Sequence, residues 1–172
     1  MARQPPIHEL EFLRITVNHG EFTRKLQTLI VSTSQVTEYA QHVGACWFRL
    51  AETHLAEGDL ALAAGCTRTI FSRAYYAAYN ASKAVRYIAQ GAVSLKADDH
   101  QRAAELPSTF PDYARWGRRI TTLYENRLRA DYDNWSTTAA DFSLTPNAAA
   151  QEAAAFLTES RKYLNGTYGM AL

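Results

Sequence analysis

The run Ile70-Phe71-Ser72-Arg73-Ala74-Tyr75-Tyr76-Ala77-Ala78-Tyr79-Asn80-Ala81-Ser82-Lys83-Ala84-Val85 decides the fold. Ile70, Phe71, Ala74, Ala78, Ala81, Val85 and, just beyond, Ile88 recur at steps of three and four, which is the period of one helix face. Alanines on that stripe let a neighbouring helix approach closely. The tyrosines read as packing residues with their hydroxyls at the edge of the core. Upstream, Asp59 is a cap for this helix, which spans Leu60 to about Gln90 and stops at Gly91. Further upstream, Val36, Tyr39, Ala40, Val43, Trp47, Leu50, Ala51 and Leu55 share one face of a helix over residues 36–56. Ser34 serves as its N-cap and Gly58 as its end. Two long helices joined by Glu57-Gly58-Asp59 make an antiparallel hairpin.

Downstream, a short helix is expected near Asp98 to Glu105, before Pro107 and Pro111 interrupt. Pro111 suits the first turn of a third main helix ending near Tyr132. Asn134 to Leu144 reads as a loop. Thr145-Pro146 then forms an N-cap followed by proline at the first helical position, opening a helix to Leu164 before Asn165-Gly166. At the N-terminus, Phe22, Leu26, Leu29 and Ile30 suggest one short helix, while Leu10 to Val17 fits either helix or an extended arm. No fixed-period repeat is present, which argues against a solenoid. The fold class is all-α, an antiparallel bundle of four to five helices with an N-terminal extension over residues 1–35, a helical domain over 36–165 and a tail over 166–172.

A chain of 172 residues is the size of one domain, and 47% hydrophobic with 20% charged residues is a globular balance. Lys plus Arg number 18 against 17 Asp plus Glu, a formal charge of +1, which argues against wholesale electrostatic capture of nucleic acid. A local basic patch stays open, because the cations are 14 Arg and 4 Lys, and arginine is the residue of planar, bidentate phosphate contact. No apolar run approaches the roughly 18 residues that cross a membrane. The segment Ile7-His8-Glu9-Leu10-Glu11 is too acidic for a secretory leader, so a cytoplasmic location without membrane contact is expected. Cys46 and Cys66 fall in apolar helical patterns and are expected as buried free thiols. Neither a metal set nor a cofactor motif is present, and none is expected.

The third main helix carries the chemistry. At about 100° per residue, Trp116, Ile120 and Leu123 define its buried stripe. Arg115, Arg118, Arg119 and Arg129 cluster on another side, as a solvated face or as phosphate contacts. Arg127 falls between Trp116 and Ile120 in the middle of the apolar face. An arginine there is costly unless it is paired or lines a cleft, and both readings stand.

The run from Ser72 to Ala84, followed about forty residues later by Leu123-Tyr124-Glu125-Asn126-Arg127-Leu128-Arg129-Ala130-Asp131-Tyr132, resembles the HEPN superfamily. The branch it looks like carries a Ser-Arg-Ala-Tyr-Tyr-Ala helix and an Arg-x-x-Ala-Asp-Tyr helix end, and the Ala-rich helix with Phe156-Leu157 matches it too. The resemblance spans about residues 36–165. It implies a helical bundle that pairs into a homodimer, with a composite cleft that faces RNA. Many such proteins are metal-independent endoribonucleases, toxins beside a nucleotidyltransferase antitoxin, or parts of antiphage defence systems. Their signature is Arg, four to six residues, then His. Arg127 matches the arginine. Arg73, Tyr76, Asn80 and Asp131 are further cleft candidates.

The chain departs from the signature at Tyr132, which stands where histidine is expected. Histidine titrates near pH 6.5 and can take a proton from a ribose hydroxyl, whereas an ordinary tyrosine near pH 10 seldom does. Arg127 can still stabilise a charged phosphorane. His100 is the only histidine between the two motifs, and nothing in the sequence places it in the cleft. Three roles follow from the resemblance. One is an RNA-engaging dimer, either ribonuclease or binder. Another is a helper subunit that docks a nucleotidyltransferase or other effector protein. In the third, Tyr132 or Tyr124 accepts a nucleotidyl group.

Overall fold

The computed structural model describes residues 13–28, 33–135 and 138–172. The main helices are α1 (His19–Thr28), α2 (Ser34–Ala63), α3 (Thr67–Gln90), α4 (Tyr113–Tyr132) and α5 (Pro146–Tyr168). Short 3-10 turns lie at Ala97–His100 and Ala139–Asp141. Among the described residues there is no strand, only an isolated antiparallel bridge between Asn18 and Ala92. The expected all-α class is what the chain adopts. Leu29 and Ile30, expected in the N-terminal helix, lie outside the described residues, as do residues 1–12.

Helix α3 is the axis of the molecule, packed against α2, α4 and α5. Because three helices surround it, its burial exceeds one stripe. Ala74, Ala77, Ala78, Ala81 and Ala84 are all buried, and so are Tyr75 and Tyr87. Phe48 and Ala51 of α2, Trp116, Ile120 and Leu123 of α4, and Ala149, Ala153 and Phe156 of α5 close the same core. Leu50, expected on the buried face of α2, is 43% exposed. Replacing Ala78 with Leu puts three carbons into a seam with no free surface. The expected cost is about 1–3 kcal/mol, read as a lowered unfolding midpoint; an unchanged midpoint would mean the seam can open.

Several helix ends differ from the sequence reading. Gly58 does not end α2. It sits buried inside the helix, where an added Cβ would stand 3.4 Å from Arg73 Cβ, so its smallness serves close packing against α3. A single internal glycine costs about 1 kcal/mol in propensity, which packing overrides. The chain turns instead at Ala64-Gly65-Cys66, with Gly65 at φ +69°. Asp59 is accordingly an interior residue of α2 and caps nothing. Ser34 is the first helical residue, behind Thr33. Pro111 lies ahead of α4 behind the left-handed Asp112, and the Asp98–Glu105 helix shrinks to a 3-10 turn followed by irregular turns.

Thr145 does cap α5, its hydroxyl accepting from the Ala148 amide at 3.1 Å, with Pro146 in the first turn. That helix runs through Gly166 to Tyr168 and ends at left-handed Gly169, and Met170 beyond it is buried. Gly91, at φ +76°, ends α3 as expected. It also lets the N-terminal segment cross closely. The Gly20 amide donates to the Gly91 carbonyl at 3.0 Å, and a Cβ on Gly91 would meet Gly20 Cα at 2.9 Å. Cys46 is half-buried and Cys66 exposed, because the interhelix turn, not a helix face, holds Cys66.

Candidate functional site

The C-terminal end of α4 is fastened to the start of α3. Arg68 donates to the carbonyls of Ala130 at 2.7 Å, Arg129 at 3.3 Å and Asp133 at 2.7 Å. The last carbonyls of a helix lack intrahelical donors and carry its negative dipole end, so a guanidinium suits them on both counts. Ser72, one turn on from Arg68, approaches the Asp131 carboxylate at 3.4 Å. These contacts set the height and rotation of the segment that bears Arg127.

Arg127 is then held from three sides. Its Nε pairs with Asp131 at 2.7 Å, and its Nη2 donates to Tyr76 Oη at 2.7 Å and Tyr132 Oη at 3.2 Å. The guanidinium carbon lies 5.3 Å from the Tyr76 ring centre and 5.0 Å from that of Tyr132. The side chain is 11% exposed, and Nη1 has no protein partner among the described residues. Both sequence readings of this residue meet here, an ion pair and a cleft edge. The pair is internal to α4, so a second chain is not needed to satisfy the charge.

Of the other candidates, Asp131, Tyr132 and Tyr76 surround Arg127 directly. Arg73 stands one helical turn from Tyr76 and pairs with Glu57 at 3.0 Å and His54 at 3.1 Å. Asn80 does not reach the site. It is buried and its amide donates to the Tyr76 carbonyl at 2.9 Å. The four arginines split. Arg119 pairs with Glu152 of α5 at 2.6 Å and lies over Trp116, and Arg129 donates to the Asp141 carbonyl at 2.9 Å. Arg118 is exposed without an ion pair among the described residues, and Arg115 has only a loose 3.9 Å approach to Asp112. At 1.5 Å per residue, Arg118 sits about 13 Å along α4 from Arg127.

Two histidines flank Tyr76, and the sequence placed neither at the site. The His54 ring is 5.5 Å from it and the His100 ring 6.0 Å. His100 also stacks on Tyr79 at 4.3 Å, and its Nδ1 is 2.9 Å from Tyr75 Oη. Burial, and then the positive charge of Arg127, hold His100 below the usual histidine value. Burial and Arg73 do the same to His54. His19 is lowered by burial, although its contact with the Tyr87 carbonyl works the other way. Burial pushes the Tyr75 hydroxyl upward, so it stays protonated.

These shifts fix a sign for stability. The unfolded chain protonates its histidines near pH 6.5, before the folded chain does, so protons favour unfolding. Stability should decline as pH falls from about 7 through the lowered folded values, measurable as denaturant midpoints at about pH 7.5 and about pH 5.5. Equal midpoints would contradict the burial of these rings. Compared with family models, with curated proteins and with solved structures, the chain finds no match, so the reading of the site rests on its own geometry.

Proposed function

We propose that the chain is a HEPN-type protein of a toxin–antitoxin or antiphage defence system whose Arg127 site faces RNA. The observation that carries this reading is the state of Arg127. Nη2 is hydrogen-bonded to Tyr76 and Tyr132, Nε is ion-paired with Asp131 without a hydrogen bond, and Nη1 is free to take an anion. A preorganised donor of that kind stabilises charge developing on a phosphodiester without a metal ion. Among the described residues no His, Cys, Asp and Glu grouping could hold a metal. Tyr132, 71% exposed, and Trp135, 84% exposed, offer aromatic faces beside the same helix end, of the kind on which unpaired bases stack. In this reading a homodimer brings two α4 ends together into one cleft. The same exposed aromatics favour the second reading, a helper subunit that docks a nucleotidyltransferase or another effector.

Incubation of the purified protein with total RNA and tRNA in the absence of metal, with mapping of 2′,3′-cyclic phosphate ends, tests the ribonuclease form. Defined cleavage ends support it; intact RNA leaves binding or docking as the role. Arg118→Ala gives a separate measure. The melting temperature should stay unchanged, since the side chain makes no ion pair, while RNA affinity falls and the log–log salt slope drops by about one. Unchanged affinity would reduce that face to a solvated surface.

A further inference from the structure

A buried charge cluster next to the site explains how a residue between the two motifs reaches it. Asp99 is fully buried and accepts from Arg86 at 2.9 and 3.1 Å and from Tyr79 Oη at 2.8 Å, with Lys83 at 3.4 Å. Such a cluster adds little net stability over a well-packed apolar replacement. Its geometric effect is specific. It pins the 3-10 turn Ala97–His100 to α3 at Asp99, and the next residue, His100, is thereby laid across the tyrosines of α3. Tyr75 Oη lies 2.9 Å from Nδ1, and the Tyr76 ring stands edge-to-face with the imidazole, ring centres 6.0 Å apart. Tyr76 Oη is also what Arg127 Nη2 grips at 2.7 Å. One tyrosine therefore touches both the imidazole and the guanidinium. His100 is half-buried, and its Nε2, like Nη1 of Arg127, has no protein partner among the described residues.

We infer that His100 is the acid–base group of the Arg127 site, supplying from the 3-10 turn the proton transfer that Tyr132 does not; the inference rests on the RNA-facing reading above. In the tautomer whose Nδ1–H donates to Tyr75 Oη, Nε2 is a bare base. It takes the proton of a ribose 2′-hydroxyl as O2′ bonds to phosphorus and the bond to the 5′-oxygen breaks. That oxygen leaves as a hydroxyl after taking a proton from solvent, and the imidazolium returns its proton to water. Arg127 Nη1 holds the non-bridging oxygens throughout.

The groups facing His100 fit this task. Asp99 lies beside it on its own turn, Lys83 and the three tyrosines on α3, and Arg127 on α4. Burial and Arg127 outweigh Asp99 and hold the ring below the usual histidine value, so it is present in the unprotonated form that can accept a proton. His54, on the other flank of Tyr76, has its Nδ1 committed to Arg73 and Glu57.

The test uses the full chain and a single-stranded 2′-deoxy oligonucleotide, which binds and cannot be cleaved by this route. Imidazole resonances are followed by NMR across pH. The expected result is an upward shift of the His100 titration by about half a unit or more on binding, because a phosphate anion arrives beside it, with no shift in Arg127→Ala. With RNA, His100→Gln keeps an N–H donor for Tyr75 Oη, and should lower cleavage by about 10²–10⁴-fold and remove the acidic limb of kcat/KM at unchanged oligonucleotide affinity. Binding that is lost in Arg127→Ala but leaves His100 unmoved would overturn the role of His100 and spare the RNA reading. Absence of binding would overturn both. An acidic limb that survives in His100→Gln and vanishes in His54→Gln would assign the proton transfer to His54. A protein that binds and never cleaves would overturn the acid–base role.

Discussion

Asp99→Ala is expected to lower unfolding stability by about 3–5 kcal/mol, a drop in melting temperature of about 10 °C for a chain of this size. The substitution strands Arg86, whose side chain is 2% exposed, without its carboxylate. It also removes the acceptor of Tyr79 and a charge partner of Lys83, so three groups of α3 lose one anchor at once. Burial alone would raise the Asp99 carboxyl, but Arg86, Lys83 and Tyr79 outweigh it and hold it below the ordinary carboxylate range. A lowered folded value means that this contribution is present above about pH 4 and is lost as pH falls through the folded value. Replacing Arg86 and Asp99 together with apolar residues should recover much of the loss, since the cost lies in the unpaired charge. A single variant as stable as the parent would show that the pair is not sealed from solvent.

Arg127→Ala is expected to behave in the opposite way, with a small effect on folding and a large one on function. Its ion pair with Asp131 is partly solvated, the two side chains being 11% and 26% exposed, so the expected destabilisation is about 1 kcal/mol. Asp131 is left facing solvent and Ser72 instead of being sealed in a core. Loss of a preorganised donor to the transition state typically lowers turnover by about 10²–10³-fold. A loss of about 3–5 kcal/mol in the melt would make Arg127 a structural residue.

The helices were legible from periodicity, and so was the placement of Arg127, because Trp116, Ile120 and Leu123 fix the angular position of residue 127 on α4. Helix ends were less so. Gly58 and Gly65 look alike in sequence, and only the close approach of Arg73 Cβ separates a packing glycine from a turning one. Arg86 and Asp99 carried no signal in the sequence, because burial on every side of α3 depends on three partner helices. His100 was invisible for the same reason. Its position follows from Asp99, and the Asp99 partners lie on a helix that ends nine residues before it. Arg68 carried no signal either, since its work is done on carbonyls of α4 distant in sequence. The arginine face of α4 was legible as a cluster, but Glu152 and Asp141, which take two of its members, belong to other elements.

The most direct measurement sets the parent and Arg127→Ala side by side in metal-free RNA cleavage, with thermal melts and light scattering on the same preparations. The account predicts RNA ends bearing 2′,3′-cyclic phosphate from the parent, and a variant that is folded, dimeric and at least about 10²-fold slower. A variant that cleaves as fast as the parent, or one that unfolds before it can be assayed, would contradict it.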